Sequence, residues 1–267
     1  MKNNGVSFII ASFNCKPYID ECLQSIQKQT YKGRIEIIVC DDCSTDGTAW
    51  VLQKFANEGQ IVFLKNEKNS GAAQSRNNCI KVAKYDYLAI LDADDYISED
   101  RIEKQVAVLD NNPDIDFVST GIQRFYEDGE RVDFIPKKEF PTAKDFLFTL
   151  PFSHATTLFR KSILERVNGY RISKETRRGQ DYDLFMRIYA AGGKGCNIKD
   201  ITYYYRCFKK ENKKKDSFSV RVDEARIRAK GFKAMRIGPR RYLFIVKPLI
   251  LGLLPQRIID KLWHNGK

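Results

Sequence analysis

Up to residue 95, short apolar runs and longer helix-patterned segments alternate four times. The runs are Val6–Ala11, Ile35–Cys40, Ile61–Leu64 and Tyr87–Leu91. Each is too brief for a helix, and side chains apolar at consecutive positions suit a strand buried on both faces. Between the first two runs, Pro17 sits where it can open a helix with Ile19, Cys22, Leu23 and Ile26 on one face. Between the second and third, a turn-rich run from Asp41 to Thr48 enters a helix carrying Val51, Leu52 and Phe55, closed by Gly59. A polar loop from Asn66 to Asn77 then leads into a helix with Cys79, Ile80 and Val82 inward. This alternation predicts an α/β fold with a largely parallel, doubly wound sheet.

Two of the four runs end in carboxylates, Asp41 and Asp42 in one case and Asp92, Asp94 and Asp95 in the other. In an open α/β sheet, ligands gather outside the carboxyl ends of the strands, so both clusters fall at the expected mouth of a site. Two ionised carboxylates about 5 Å apart repel by roughly 3 kcal/mol at an effective dielectric near 20. An oxygen-loving cation, Mg²⁺ or Mn²⁺, would offset that cost. The plainer alternative is an acidic turn in which Asp95 or Ser98 caps the next helix.

Beyond Ser98 the pattern predicts a helix with Ile102, Val106 and Leu109, then a strand from Ile115 to Thr120. Residues 121–141 suit a hairpin or loop over a ligand. His154–Phe159 reads as a strand, Ile163–Val167 as a short helix, and Arg177–Asp181 as a loop entering a helix over Tyr182–Ala191 that Gly192 and Gly193 end. From Arg206 to Arg241 basic residues far outnumber acidic ones, and Tyr242–Leu254 is apolar but broken by Lys247 and Pro248. That stretch is short of the ~20 residues a membrane span needs. It suits an interfacial segment or a helix docked on the protein.

The formal charge of +12 favours anionic partners without choosing among them. Acidic strand ends and the lack of an aromatic–basic motif argue against nucleic acid. Seven cysteines, an odd number in a chain opening on a strand with no signal-peptide pattern, suggest free thiols and a cytoplasmic setting. Cys40 and Cys43 have CxxC spacing but no second pair, so zinc is not expected. A nucleotidyltransferase would carry a glycine-rich, arginine-containing loop after its first strand, and Ala11–Asn14 has none.

Taken together, Val6–Asn14, Ile37–Thr48, Gly71–Asn77, Leu91–Asp95 and Gly179–Phe185 resemble, in order and approximate spacing, the motifs of glycosyltransferase family 2, whose fold is of the GT-A type. The resemblance runs from Val6 to about Tyr205. It implies an inverting transfer of sugar from a nucleotide donor, a UDP-sugar by preference, to an acceptor hydroxyl on a glycan or lipid-linked acceptor. By that resemblance Ala11, Phe13, Asp42, Arg76 and Asp92 bind the nucleotide, with Phe13 stacked on the base, Asp42 on its polar edge and Asp92 toward the ribose. Asp94 holds Mg²⁺ or Mn²⁺. Asp181 corresponds to the catalytic base, with helix capping as its plainer alternative, while Asp183 would point to another face. Asp95, His154 and Gln180 are candidate acceptor or diphosphate contacts, Gln180 standing where the family has Glu or Gly. No Gln-x-x-Arg-Trp motif of processive synthases is present, which favours single-sugar transfer. The expected organisation is a nucleotide-sugar half over 1–97, an acceptor half of the same domain over 98–208, and a basic helical extension over 209–267. That extension suits peripheral binding to an anionic membrane.

Overall fold

The computed structural model describes residues 5–208 and 218–253. The start of the predicted basic extension, 209–217, and its end from 254 lie outside the described residues. The first half carries β1 (Gly5–Ser12), α1 (Ile19–Gln27), β2 (Arg34–Asp41), α2 (Thr48–Asn57), β3 (Val62–Lys65), α3 (Ala72–Val82), β4 (Tyr87–Asp92) and β5 (Tyr96–Ile97). α4 (Arg101–Asn111), β6 (Phe117–Tyr126), β7 (Arg131–Phe134), β8 (Leu158–Arg160), α5 (Lys161–Arg166), α6 (Gln180–Ala190) and β9 (Gly195–Cys207) follow. α7 (Phe218–Ala234) and α8 (Arg241–Leu253) close the described chain.

The strands build one mixed sheet in the order β3-β2-β1-β4-β8-β6-β9-β5, with β7 hydrogen-bonded to β6. β1 to β4 pair in parallel as their apolar runs predict, while β8 runs antiparallel to both β4 and β6. The sheet therefore continues through both predicted halves. The core divides on its two faces because neighbouring strand residues point opposite ways. Phe8, Ile10, Ala89 and Leu91 join one cluster with Ile19, Leu23, Leu52 and Ile102. Ile9, Leu88 and Ile90 join the other with Cys79, Ile163, Leu184 and Phe185.

Five local expectations need correction, the first being Val82, predicted inward on α3 but exposed at the end of that helix. Pro17 lies in the turn before α1, which starts at Ile19. His154–Thr156 forms a 3₁₀ turn, so the strand predicted from His154 shrinks to β8. Asp100, not Asp95 or Ser98, stands at the cap position of α4, and Asp95 turns inward. β9 was not anticipated, and it is the longest strand at 13 residues. The hairpin expected over 121–141 is present as β6 and β7.

Candidate active site

Strand register brings the two acidic ends together. Ser12 pairs with Asp41 on one side of β1, and Ala11 pairs with Asp92 on the other. Past that edge Phe13 is 49% exposed, a ring open to a partner. The neighbouring Ser12 carbonyl accepts the Asp42 N–H at 2.8 Å. Asp41 is buried and closes its own turn, accepting from the backbone and hydroxyl of Ser44. Asp42 is also buried. Its Oδ1 accepts from Asn66 Nδ2 at 2.7 Å and the Ser70 N–H at 2.8 Å, and its Oδ2 accepts the Gly71 N–H at 2.7 Å. Asp42 thus anchors the polar loop that enters α3, and a carboxylate oxygen with one donor keeps a lone pair for another.

The acidic turn after β4 is held by residues that sequence reasoning missed. The Tyr203 hydroxyl on β9 accepts the Asp92 N–H at 3.1 Å and donates to Asp95 Oδ2 at 2.8 Å. The Arg206 N–H reaches Asp95 Oδ1 at 2.7 Å, and its Nε donates to the Asp94 carbonyl at 2.9 Å. Both oxygens of Asp95 are therefore engaged inside the protein. Burial, then the charges of Asp92 and Asp94, push the Asp95 carboxyl up to about 8. Asp94 is raised by burial first and by Asp92 second.

α3 links this turn to the second half. Arg76 is buried and its Nη2 pairs with Asp92 Oδ1 at 2.6 Å. Next to it, Asn77 makes two hydrogen bonds of 2.8 Å with the backbone N–H and carbonyl of Tyr170. Gly169 allows that contact, since it adopts φ +58° and a Cβ there would lie 2.5 Å from Asn77 Oδ1. The Tyr170 hydroxyl meets His154 Nε2 at 2.7 Å. Burial, and then the Arg76 charge, depress the imidazole to about 3, so His154 is neutral at physiological pH.

Asp181 is the second residue of α6, behind Gly179 at the cap position and Gln180 as the first helical residue. Its carboxylate accepts the Tyr182 N–H at 2.8 Å and does not occupy the capping position. Burial raises it above the ordinary carboxylate range, and it feels the charges of both Arg76 and Asp92. Asp181 thereby shares an electrostatic neighbourhood with the β4 turn, 89 residues earlier in the chain. Asp183 does face elsewhere, buried between Arg171 and Arg187. A groove of about 940 Å³ opens beside Asp181, between Thr149 and Leu150 on one wall and Ile227 and Arg228 of α7 on another.

The donor set fits a metal that takes one carboxylate from the protein and its other ligands from phosphate oxygens and water. Asp92 is engaged by Arg76 and Asp95 by β9, whereas among the described residues the Asp94 carboxylate accepts only its own backbone N–H. Among the described residues no cluster of three or more potential ligands forms an all-protein cage.

The family model for "Glycosyl transferase family 2" matches residues 7–167, more than half of the chain. This chain belongs to glycosyltransferase family 2. The transferase is 33% identical to EpsE of Bacillus subtilis, named as a glycosyltransferase, over 98% of this chain and 94% of that one. It is 33% identical to WfaP of Escherichia coli, named as a UDP-Glc:alpha-D-GlcNAc-diphosphoundecaprenol beta-1,3-glucosyltransferase, over 75% of this chain and 76% of that one. The crystal structure of S. aureus TarS 1–349 with UDP-GlcNAc superposes with a TM-score of 0.73 at 21% identity, over 93% of this chain and 72% of that one. The fold of this transferase is thus the GT-A α/β fold, with the mixed sheet and flanking helices described above.

Proposed function

We propose that this transferase moves a single sugar from a nucleotide-sugar, a UDP-sugar by preference, to a hydroxyl of a glycan or lipid-linked acceptor, with inversion at the anomeric carbon. The observation that carries the reading is the Arg76–Asp92 ion pair of the first half, tied through Asn77 to Tyr170 of the second, with Asp181 within range of both charges. Residues 1–97 then serve the donor and 98–208 the acceptor, with the charged groups meeting at their junction.

In this reading the base stacks on Phe13, and its polar edge donates to the spare lone pair of Asp42. Ala11 floors the nucleotide and Asp92, oriented by Arg76, meets the ribose. Arg76 also places positive charge near the diphosphate. A divalent cation held by Asp94, Mg²⁺ or Mn²⁺, would stabilise charge on the leaving diphosphate when bound. Asp181 accepts the proton of the acceptor hydroxyl as its oxygen bonds to the anomeric carbon. The bond from that carbon to the phosphate oxygen breaks on the opposite face, and its electron pair leaves with the nucleoside diphosphate. Gln180 contacts the acceptor. His154, neutral and bonded to Tyr170, supports the site as a hydrogen-bonding group rather than a proton carrier. The names of the relatives support the donor class: WfaP uses UDP-Glc, and TarS was crystallised with UDP and with UDP-GlcNAc. A mannosyltransferase structure with GDP-Man and Mn²⁺ supports the metal. WfaP's diphosphoundecaprenol-linked acceptor supports work at the inner face of a cell membrane.

The test is a panel of nucleotide-sugars scored by thermal stabilisation, followed by proton NMR of the product. A UDP-sugar should raise the melting temperature most in the presence of Mn²⁺, and an α-linked donor should give a β-linked product. A retained anomeric configuration would remove the single-displacement mechanism, and stabilisation by GDP-sugars alone would remove the uridine assignment.

A further inference from the structure

The charge of the chain is not spread along it. Residues 209–267 hold 17 Lys and Arg against 5 Asp and Glu, while residues 1–208 hold 29 of each, so the formal +12 belongs to the C-terminal region. In the described part of that region α7 and α8 pack as an antiparallel pair. A Cβ on Gly252 would meet Arg221 Cγ at 3.1 Å and Phe218 Cδ2 at 3.3 Å, so the end of α8 lies close against the start of α7. The inner side of α8 is covered: Phe244 and Ile245 pack on the core, and Phe244 meets the Phe148 ring edge-on at 5.0 Å.

The outer side of α8 is bare. Tyr242, Leu243, Val246, Ile250 and Leu253 are 61%, 72%, 40%, 54% and 75% exposed. At 3.6 residues per turn these five fall within an arc of about 100°. A continuous apolar stripe of this kind marks a surface that is covered in use. The last turn of α7 and the turn that follows it present Lys233, Arg236 and Arg240, all exposed and none ion-paired among the described residues. α8 has 13 residues, and no described helix is long and apolar enough to cross a membrane.

We propose that the outer face of α8 lies in the plane of an anionic lipid bilayer, with these five side chains below the headgroups and the Lys233–Arg240 turn among the phosphates. Charge complementarity selects this occupant. An isologous contact with a second copy through the same stripe would give these cations no anionic partner, whereas acidic lipid attracts each of them. A short, apolar-faced helix beside clustered cations is the physical form of an interfacial anchor. The proposed function enters only in what the seating achieves. Lys247 Nζ donates to the Phe148 carbonyl at 3.4 Å, and the groove wall begins at the next residue, Thr149. Bilayer-bound α8 therefore holds the groove beside Asp181 close to the headgroups, where a lipid-linked acceptor carries its sugar.

Cosedimentation of the full chain with phosphatidylcholine vesicles, with and without about one third phosphatidylglycerol, tests the proposal without donor or acceptor. The chain should pellet with the anionic vesicles, and less as salt is raised. Leu243→Glu with Ile250→Glu should weaken binding about tenfold or more, with melting temperature and UDP binding unchanged. Separately, Leu243→Trp should show a blue-shifted emission on anionic vesicles only. Three results would overturn the proposal: a wild-type chain that stays in the supernatant, a double variant that binds as tightly, or a lipid-free dimer that the double variant dissociates. Because no sugar transfer is read, these results stand whatever the nucleotide-sugar panel shows.

Discussion

Asp181→Asn should abolish sugar transfer while leaving the donor site intact. The substitution keeps the size of the side chain and an oxygen to accept the Tyr182 N–H, so α6 should start as before. It removes the group that takes the acceptor proton, a loss of about 10²- to 10⁴-fold in kcat. UDP affinity by calorimetry should be unchanged, and the melting temperature should hold or rise, because a buried carboxylate raised by desolvation is replaced by a neutral amide. The pH profile carries the same signature. Asp181 acts only when ionised, and burial lifts its pKa, so wild-type activity should fall on the acid side at a pH above the ordinary carboxylate range. Residual transfer by the variant within a few-fold of wild type would take Asp181 out of the reaction.

Asp94→Asn should give the other large effect, through nucleotide rather than acceptor. Of the three acids after β4, Asp92 is paired with Arg76 and Asp95 is enclosed by Tyr203 and Arg206, which leaves Asp94 for a cation. Loss of that ligand should make UDP binding indifferent to Mn²⁺. Withdrawing several kcal/mol of charge stabilisation from the leaving group should lower transfer about 10³-fold. Titration of UDP with and without Mn²⁺ separates this from misfolding, since the metal-independent affinity should survive. A variant whose affinity still rises with Mn²⁺ would assign the metal elsewhere.

The parts of the fold legible from sequence are those whose burial leaves a local pattern. β1, β2 and β4 are covered on both faces, so each is a run of apolar residues, and each acidic end shows where its run stops. β9 is less legible because Lys199 and Asp200 interrupt it and the register with β6 shifts at Ser119 and Gly121. Tyr203 and Arg206 went unseen for a related reason. Their partners Asp92 and Asp95 lie more than a hundred residues away, and no local spacing announces such contacts. The aromatic run Tyr203–Tyr205 followed by an arginine was the available signal. The strand predicted at His154 fails because Thr156 and Thr157 satisfy themselves locally, their hydroxyls donating to the Ser153 carbonyl and tightening a 3₁₀ turn. The role of Asp181 rests on family resemblance. Position alone made it a helix-start acid, and only the three-dimensional arrangement brings it within range of the Arg76 and Asp92 charges.

Diffraction at the manganese edge from crystals soaked with UDP and Mn²⁺ tests the central arrangement most directly. One anomalous peak is expected at the Asp94 carboxylate, with uracil between Phe13 and Asp42 and a diphosphate whose free end faces Asp181. Manganese away from Asp94, or a nucleotide bound where Asp181 lines no part of the same cleft, would contradict it.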